Sequence, residues 1–243
     1  MRITNPLITA IIAAAVLLPI ATSQAFEVQP MRYILAPSGS DAQETVRVRN
    51  PTRNPLPLEI TVRERSADEH GNPRERSGED DFLVFPPQAE IQPGETQNFR
   101  VQYIGPPDLE QSKSYTVAIT QLPVERPGGS TGVQVIFDVG TAAHVVPPGA
   151  ESDLVVAGTS VSDADDSVLT ARLENRGNLF ALLIDYRLEL AGPNGETRSF
   201  EDEEEIEAII GNPAIYPETT RYLRIPIEED WERNAELQLT AIE

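Results

Sequence analysis

From Phe26 onward the chain is a succession of short segments in which apolar side chains recur at every second position, broken by turn residues every 8 to 15 positions. A period of two belongs to a strand with one face buried and one face wet, and short strands at this spacing belong to β-sandwiches. Thr45-Val46-Arg47-Val48-Arg49 shows the pattern plainly. With 21 prolines and 15 glycines to make turns, and long helical periodicity missing, the reading is all-β. Strands are predicted at 27–35, 44–50, 57–65, 82–85, 96–104, 114–122 and 132–145, then at 154–161, 168–175, 180–191, 219–226 and 235–242. The segment 66–81, charged and interrupted by Gly71, Pro73 and Gly78, is expected to be a long mobile loop. Asn194-Gly195 is expected to be a hairpin turn.

Two boundaries divide the 243 residues. The first 25 carry Arg2, an apolar run over 7–20 and Ser23-Gln24-Ala25, the pattern of a cleaved secretory signal peptide. Fourteen apolar residues fall short of the roughly 20 that a spanning helix needs, so stable membrane insertion is not expected. Pro147-Pro148-Gly149 cannot continue a strand, which gives one sandwich at 26–148 and a second at 149–243.

Composition narrows the chemistry. Nineteen basic against 39 acidic side chains give a net charge of −20, which repels nucleic acid and anionic lipid. Residues 26–150 hold 11 basic and 17 acidic groups and residues 151–243 hold 7 and 22, so most of the acidity lies in the second half. With no cysteine and only His70 and His144, disulfides, thiol nucleophiles and multi-histidine metal sites are excluded. The runs Glu201-Asp202-Glu203-Glu204-Glu205 and Asp163-Ala164-Asp165-Asp166 lack ordered ligand spacing and read as solvated loops. His70 lies in the polar segment with no neighbour to orient it, and no serine sits in a nucleophile elbow or glycine in a phosphate loop. No catalytic residue and no cofactor is indicated.

One segment stands apart. In 132–145, Val133, Val135, Phe137 and Val139 set apolar side chains on one face and Gln134 and Asp138 on the other. Periodicity alone assigns the row to the domain's own core; the competing reading is an edge strand that offers it to another chain. The glycine-rich 125–131 ahead of it is expected to be a flexible loop.

The sequence resembles the periplasmic pilus chaperones of the PapD type, which act in the chaperone–usher pathway. The resemblance is carried by Met31-Arg32-Tyr33-Ile34-Leu35, Val48-Arg49-Asn50-Pro51, Phe82-Leu83-Val84-Phe85-Pro86-Pro87, Ile91-Gln92-Pro93-Gly94-Glu95-Thr96 with Phe99-Arg100-Val101, Ser114-Tyr115, Gln121-Leu122-Pro123 and the valine row. Weaker matches follow in Leu173-Glu174-Asn175 and Tyr216-Pro217-Glu218-Thr219. It implies two immunoglobulin-like sandwiches in a boomerang arrangement, with no enzymatic activity and no cofactor. It also implies donor-strand complementation: Val133, Val135, Phe137 and Val139 would fill the groove of an incomplete pilus subunit until an outer-membrane usher takes it over. Arg32 matches the family's strand-A arginine, which holds the subunit's terminal carboxylate. The partnering strand-G lysine falls at Ala142 or Ala143, which leaves His144, on the same face as Ala142, as a substitute expected to titrate near neutral pH. The arginine usual before the strand-ending proline is replaced by Val146, and the usual C-terminal Asn-Asp-Tyr-Gly pattern is absent. The resemblance is to a divergent branch.

Overall fold

The computed structural model describes residues 26–123, 135–162, 165–192, 195–200, 203–227 and 235–242. The leader read at 1–25, the loop at 125–131, Val133 and Asn194 lie outside the described residues.

The first half contains β1 (Glu27–Gln29), β2 (Arg32–Leu35), β3 (Gln43–Arg49), β4 (Leu56–Ala67), β5 (Pro73–Ser77), β6 (Phe82–Phe85), β7 (Gln88–Ile91), β8 (Thr96–Tyr103), β9 (Lys113–Gln121) and β10 (Asp138–Val145). One sheet runs β1-β3-β8-β6; the facing sheet runs β2-β10-β9-β4-β5, with β7 paired to the start of β4. Val46 and Val48 of β3, Phe99 and Val101 of β8, and Val117 and Ile119 of β9 meet in one core between the sheets. At roughly 1.5–3 kcal/mol for each fully buried aliphatic or phenyl side chain, this layer is the main favourable term holding the sandwich together.

The second half contains β11 (Leu154–Ser162), β12 (Asp165–Asn175), β13 (Ala181–Leu182), β14 (Tyr186–Ala191), β15 (Thr197–Ser199), the helix α1 (Glu203–Ile210), β16 (Ala214–Ile215), β17 (Thr219–Pro226) and β18 (Glu236–Ala241). Its sheets are β11-β12-β17, β13-β16 and β15-β14-β18, around a separate core that includes Leu169, Leu173, Leu188, Leu190 and Ile225.

The structure departs from the sequence expectations at five places, the first being the strand expected over 132–145, which is β10 from Asp138 onward, with 135–137 outside any strand. The predicted strand 27–35 is two strands in opposite sheets, β1 and β2, with Pro30, which lacks an N–H for the ladder, between them. The expected loop 66–81 is a hairpin: β4 continues to Ala67 and β5 pairs back on it, Arg63 opposite Ser77 through Ala67 opposite Pro73. The predicted strand 180–191 is interrupted by a single 3₁₀ turn over Leu183–Asp185. The acidic run enters α1, where Ile206, Ile209 and Ile210 at helical spacing turn one face to the second core. Charge had hidden that triad. Among the described residues no helix is long and apolar enough to cross a membrane.

Each half contains a buried asparagine that ties chain segments together. Asn50 donates from Nδ2 to the carbonyls of Asn54 and Ile91, and its Oδ1 accepts from the Thr52 N–H and hydroxyl. Asn175 repeats the device, donating to the carbonyls of Leu179 and Ile215 and accepting from the N–H groups of Asp153 and Gly177. Truncating a fully satisfied buried amide strands its partners, so Asn50→Ala should lower unfolding free energy by about 2–4 kcal/mol in urea titrations, whereas the exposed Asn98→Ala should shift it by less than about 0.5 kcal/mol.

Candidate functional site

β10 has two unlike halves. Ala142–Val145 lies between β9 and the parallel strand β2, in the register Ala142 opposite Arg32 and Val145 opposite Leu35. Among the described residues, Asp138–Thr141 pairs with Thr120–Val117 of β9 on one side only. The cover ends where the Ala142 N–H donates to the Met31 carbonyl at 2.8 Å. The first half of β10 is therefore an open edge, with main-chain groups free to take up another strand.

The alternating row divides along this edge. Thr141, Ala143 and Val145 are buried; Phe137 and Val139 are half-buried against the first core; Val135 stands 61% exposed. The expected row thus runs from the core interior out into solvent. Ile136, which the sequence reading passed over, is exposed beside it.

The opposite face of the same sheet looks towards the second half of the chain. Directly opposed residues on neighbouring strands share a face, so Arg32, Ala142, Thr116 and Arg63 form one cross-strand row, and Ile34, His144, Ser114 and Arg65 form the next. Arg32 and Ile34, both exposed, open onto a hollow of about 380 Å³ whose far wall includes Phe180, Leu182, Asp185, Tyr186 and Ile242. Arg32 and His144 do line the same cleft. The place beside Arg32 where a second cation is expected is held by the small Ala142. Lys113, the only lysine in the chain, stands at the other end of the strand, opposite Val145 and 3.7 Å from Asp81.

His144 does not fill the gap. Its ring is only 4% exposed, stacks on Phe180 with centroids 4.1 Å apart, and shares a 2.8 Å hydrogen bond through Nδ1 with the Ser114 hydroxyl. Burial, reinforced by the charges of Arg65 and Arg32, pushes its pKa down to about 4. The expectation of a group titrating near neutrality is corrected: at pH 7 this imidazole is neutral and part of a packed joint. The joint continues through Ser112, whose N–H donates to the Asn178 carbonyl and whose hydroxyl accepts from the Phe180 N–H, and through Asn178 Nδ2, which donates to the Glu110 carbonyl. Phe180, Tyr186 and Ile242 were missed by sequence reasoning. Ile34 was legible, because alternation with the buried Tyr33 and Leu35 places it outward next to Arg32.

The family model for the N-terminal domain of PapD, described as the pili and flagellar-assembly chaperone, matches residues 25–147. The chain belongs to this chaperone family. Solved structures agree in fold. The class 5 fimbriae chaperone CfaA aligns with a TM-score of 0.56 at 16% identity, covering 90% of this chain and 100% of that one. A chain of the SafA pilin–SafB chaperone complex of Salmonella enterica aligns at 0.53 and 15%, covering 90% and 96%. A chain of the CsuC–CsuE chaperone–tip adhesion subunit complex of Acinetobacter baumannii aligns at 0.51 and 15%, covering 82% and 89%. No curated protein matches the sequence. The chaperone fold is thus retained at low identity, with a joint in which a neutral histidine is packed.

That joint makes stability depend on pH with a definite sign. In the unfolded chain a histidine takes up its proton near pH 6.5, whereas His144 in the folded protein resists until about pH 4. The unfolded state binds more protons between these values, so His144 contributes fully above about pH 6.5 and its contribution is lost as pH falls through about 4. The loss should be on the order of 3 kcal/mol. Urea midpoints measured from pH 7.5 to 4 should fall more steeply for the native chain than for His144→Gln.

Proposed function

We propose that this chain is a periplasmic chaperone that stabilises pilus-type subunits by lending them the open half of β10 and then passes them to an outer-membrane usher. The observation that carries the reading is an open edge that continues an apolar row: among the described residues, main-chain groups at Asp138–Thr141 of β10 have a ladder partner on one side only, and Val135 and Phe137, just ahead of the strand, and Val139, on it, grade from exposed to half-buried. An incomplete immunoglobulin-like subunit supplies the complementary surface, a groove short of one strand. Val133 continues the row by its spacing and lies outside the described residues. Side chains that fill subunit pockets would each contribute about 1.5–3 kcal/mol, enough for the row to dominate the complex. Membership of the family and the signal-peptide pattern support a periplasmic setting.

Arg32 is the proposed anchor for the subunit's terminal carboxylate. Its guanidinium opens onto the hollow, and a planar fork suits a carboxylate. His144, neutral and already hydrogen-bonded to Ser114, is set aside as a charged partner. The anchor therefore rests on Arg32 alone, across the hollow from a wall in which Asp185 stands among Phe180, Leu182 and Ile242.

A second reading has a specific observation behind it. Phe137 and Val139 already pack against the chain's own core, as they would in a structural or adhesive immunoglobulin-like protein. Hydrogen exchange separates the two. A strand kept for lending exchanges quickly over 137–141 while β9 stays protected; uniform protection across both strands favours the structural reading.

Phe137→Glu should abolish co-purification of a coexpressed subunit while leaving the circular dichroism spectrum unchanged; stoichiometric capture by this variant would overturn the lent-strand reading. Arg32→Ala should weaken capture by about 10- to 100-fold in a binding titration, the scale of a lost charge-assisted pair, and unchanged affinity would remove Arg32 from the site.

A further inference from the structure

The hairpin between β4 and β5 ends in a turn that is rigid in itself. Asp68 Oδ1 accepts from the N–H groups of His70 and Asn72, Asp68 Oδ2 accepts from Asn72 Nδ2, and the Gly71 N–H donates to the Asp68 carbonyl. Gly71 has φ +83°, a left-handed conformation that favours glycine. This tip reaches across to the second half of the chain. The Glu69 carbonyl accepts from the Tyr222 N–H of β17 at 2.7 Å, and the rings of His70 and Tyr222 lie 6.0 Å apart.

Beneath the tip is Arg221, 5% exposed. Its Nη2 donates to the Ile210 carbonyl at 2.7 Å, while Nε and Nη1 have no hydrogen-bond partner among the described residues. The guanidinium lies against Gly71 so closely that a Cβ at position 71 would fall 1.4 Å from Nη1. A glycine is thus required twice over, by the backbone angle and by the cation it covers. A buried arginine with idle donors is a poor choice for the second core alone, where an aliphatic side chain would fill the space without a desolvated charge. Its flat face fits the bare backbone of the tip.

The placement of this contact gives it leverage. In the sheet β2-β10-β9-β4-β5 the hairpin is one edge and Arg32 lies on the other. At about 4.8 Å per strand the two edges are about 19 Å apart. Both edges face the second half of the chain, with the Ser112–Asn178 contacts as a further tie between the two halves.

We propose that the hairpin tip and Arg221 form a clasp that sets the angle between the two halves of the chain, and with it the width of the cleft behind Arg32. Arg221 is a positioning residue: it touches nothing that the cleft holds, and it acts through Gly71. What the cleft is for rests on the chaperone reading above; the clasp itself does not.

The absence of cysteine allows clean labelling of the full chain in its free form, so the test needs no subunit and stands or falls apart from the chaperone reading. Spin labels at Asn98→Cys and Arg187→Cys, exposed sites on the two halves, report the angle as a distance distribution. A short bis-maleimide cross-linker between Ile34→Cys and Ile242→Cys reports the cleft. The native clasp should give a narrow distribution and efficient cross-linking. Gly71→Val and Arg221→Met should each broaden or shift the distribution and lower the cross-linking rate at least threefold, and Arg221→Lys, which keeps the charge and loses the flat face, should not restore either. Should these variants fail to fold, Asp68→Ala, a half-buried change that loosens the turn and removes the carboxylate whose charge acts on Arg221, should move both readouts in the same direction. An unchanged distribution in folded clasp variants would overturn the clasp, and a shifted distribution with unchanged cross-linking would overturn its control of the cleft.

Discussion

The parallel pairing of β2 with only the second half of β10 is the constraint on which the rest of this structure depends. Four residues of β2 cover Ala142–Val145 and then stop. That single shortfall creates the open edge at Asp138–Thr141, turns Arg32 and Ile34 out to the cleft, and places Ala142 and His144 where the second half of the chain can pack on them. The cause is local. Pro30 parts the first strand into two pieces that belong to opposite sheets, so neither piece is long enough to close the edge of β10.

The same sheet uses its two faces for different purposes. Its inner face is a continuous apolar layer whose outer end, at Phe137 and Val139, is only half covered. Its outer face carries only small residues at Gly140 and Ala142 of β10, and at Gly140 a Cβ would fall 2.8 Å from the Thr116 methyl. Two of the contacts between the halves use a potentially charged side chain without a hydrogen-bonded ion pair: a neutral imidazole stacked on Phe180, and a guanidinium covered by a glycine. In both, a potentially charged group is packed for its shape.

Alternation made most of the fold legible. Wherever one sheet face is buried and the other wet, as in β3, β8 and β17, the period of two reaches the sequence directly, and the strands fall where it predicts. It fails where charge and structure part company. Residues 66–77 look like a loop because β5 is exposed on both faces, yet the pairing of Arg74, Glu75 and Arg76 with Ser66, Arg65 and Glu64 makes a hairpin. Five consecutive acidic residues likewise hide the isoleucine triad of α1. At the site, the sequence reached Arg32 and the apolar row but not the state of His144, because a pKa is set by burial and by residues such as Phe180 that come from the other half of the chain.

The hairpin contact on β17 has a consequence for how this chain can be divided. β17 is the last strand of its sheet, and the Tyr222 N–H on its outer side is occupied by the Glu69 carbonyl from the first half. Cut free at the Pro-Pro-Gly linker, the second half would present that rung as an unpaired edge, next to a newly hydrated guanidinium. A recombinant fragment beginning near residue 150 would carry an open rung that the intact molecule fills, so the two halves are better regarded as mutual covers than as beads on a string.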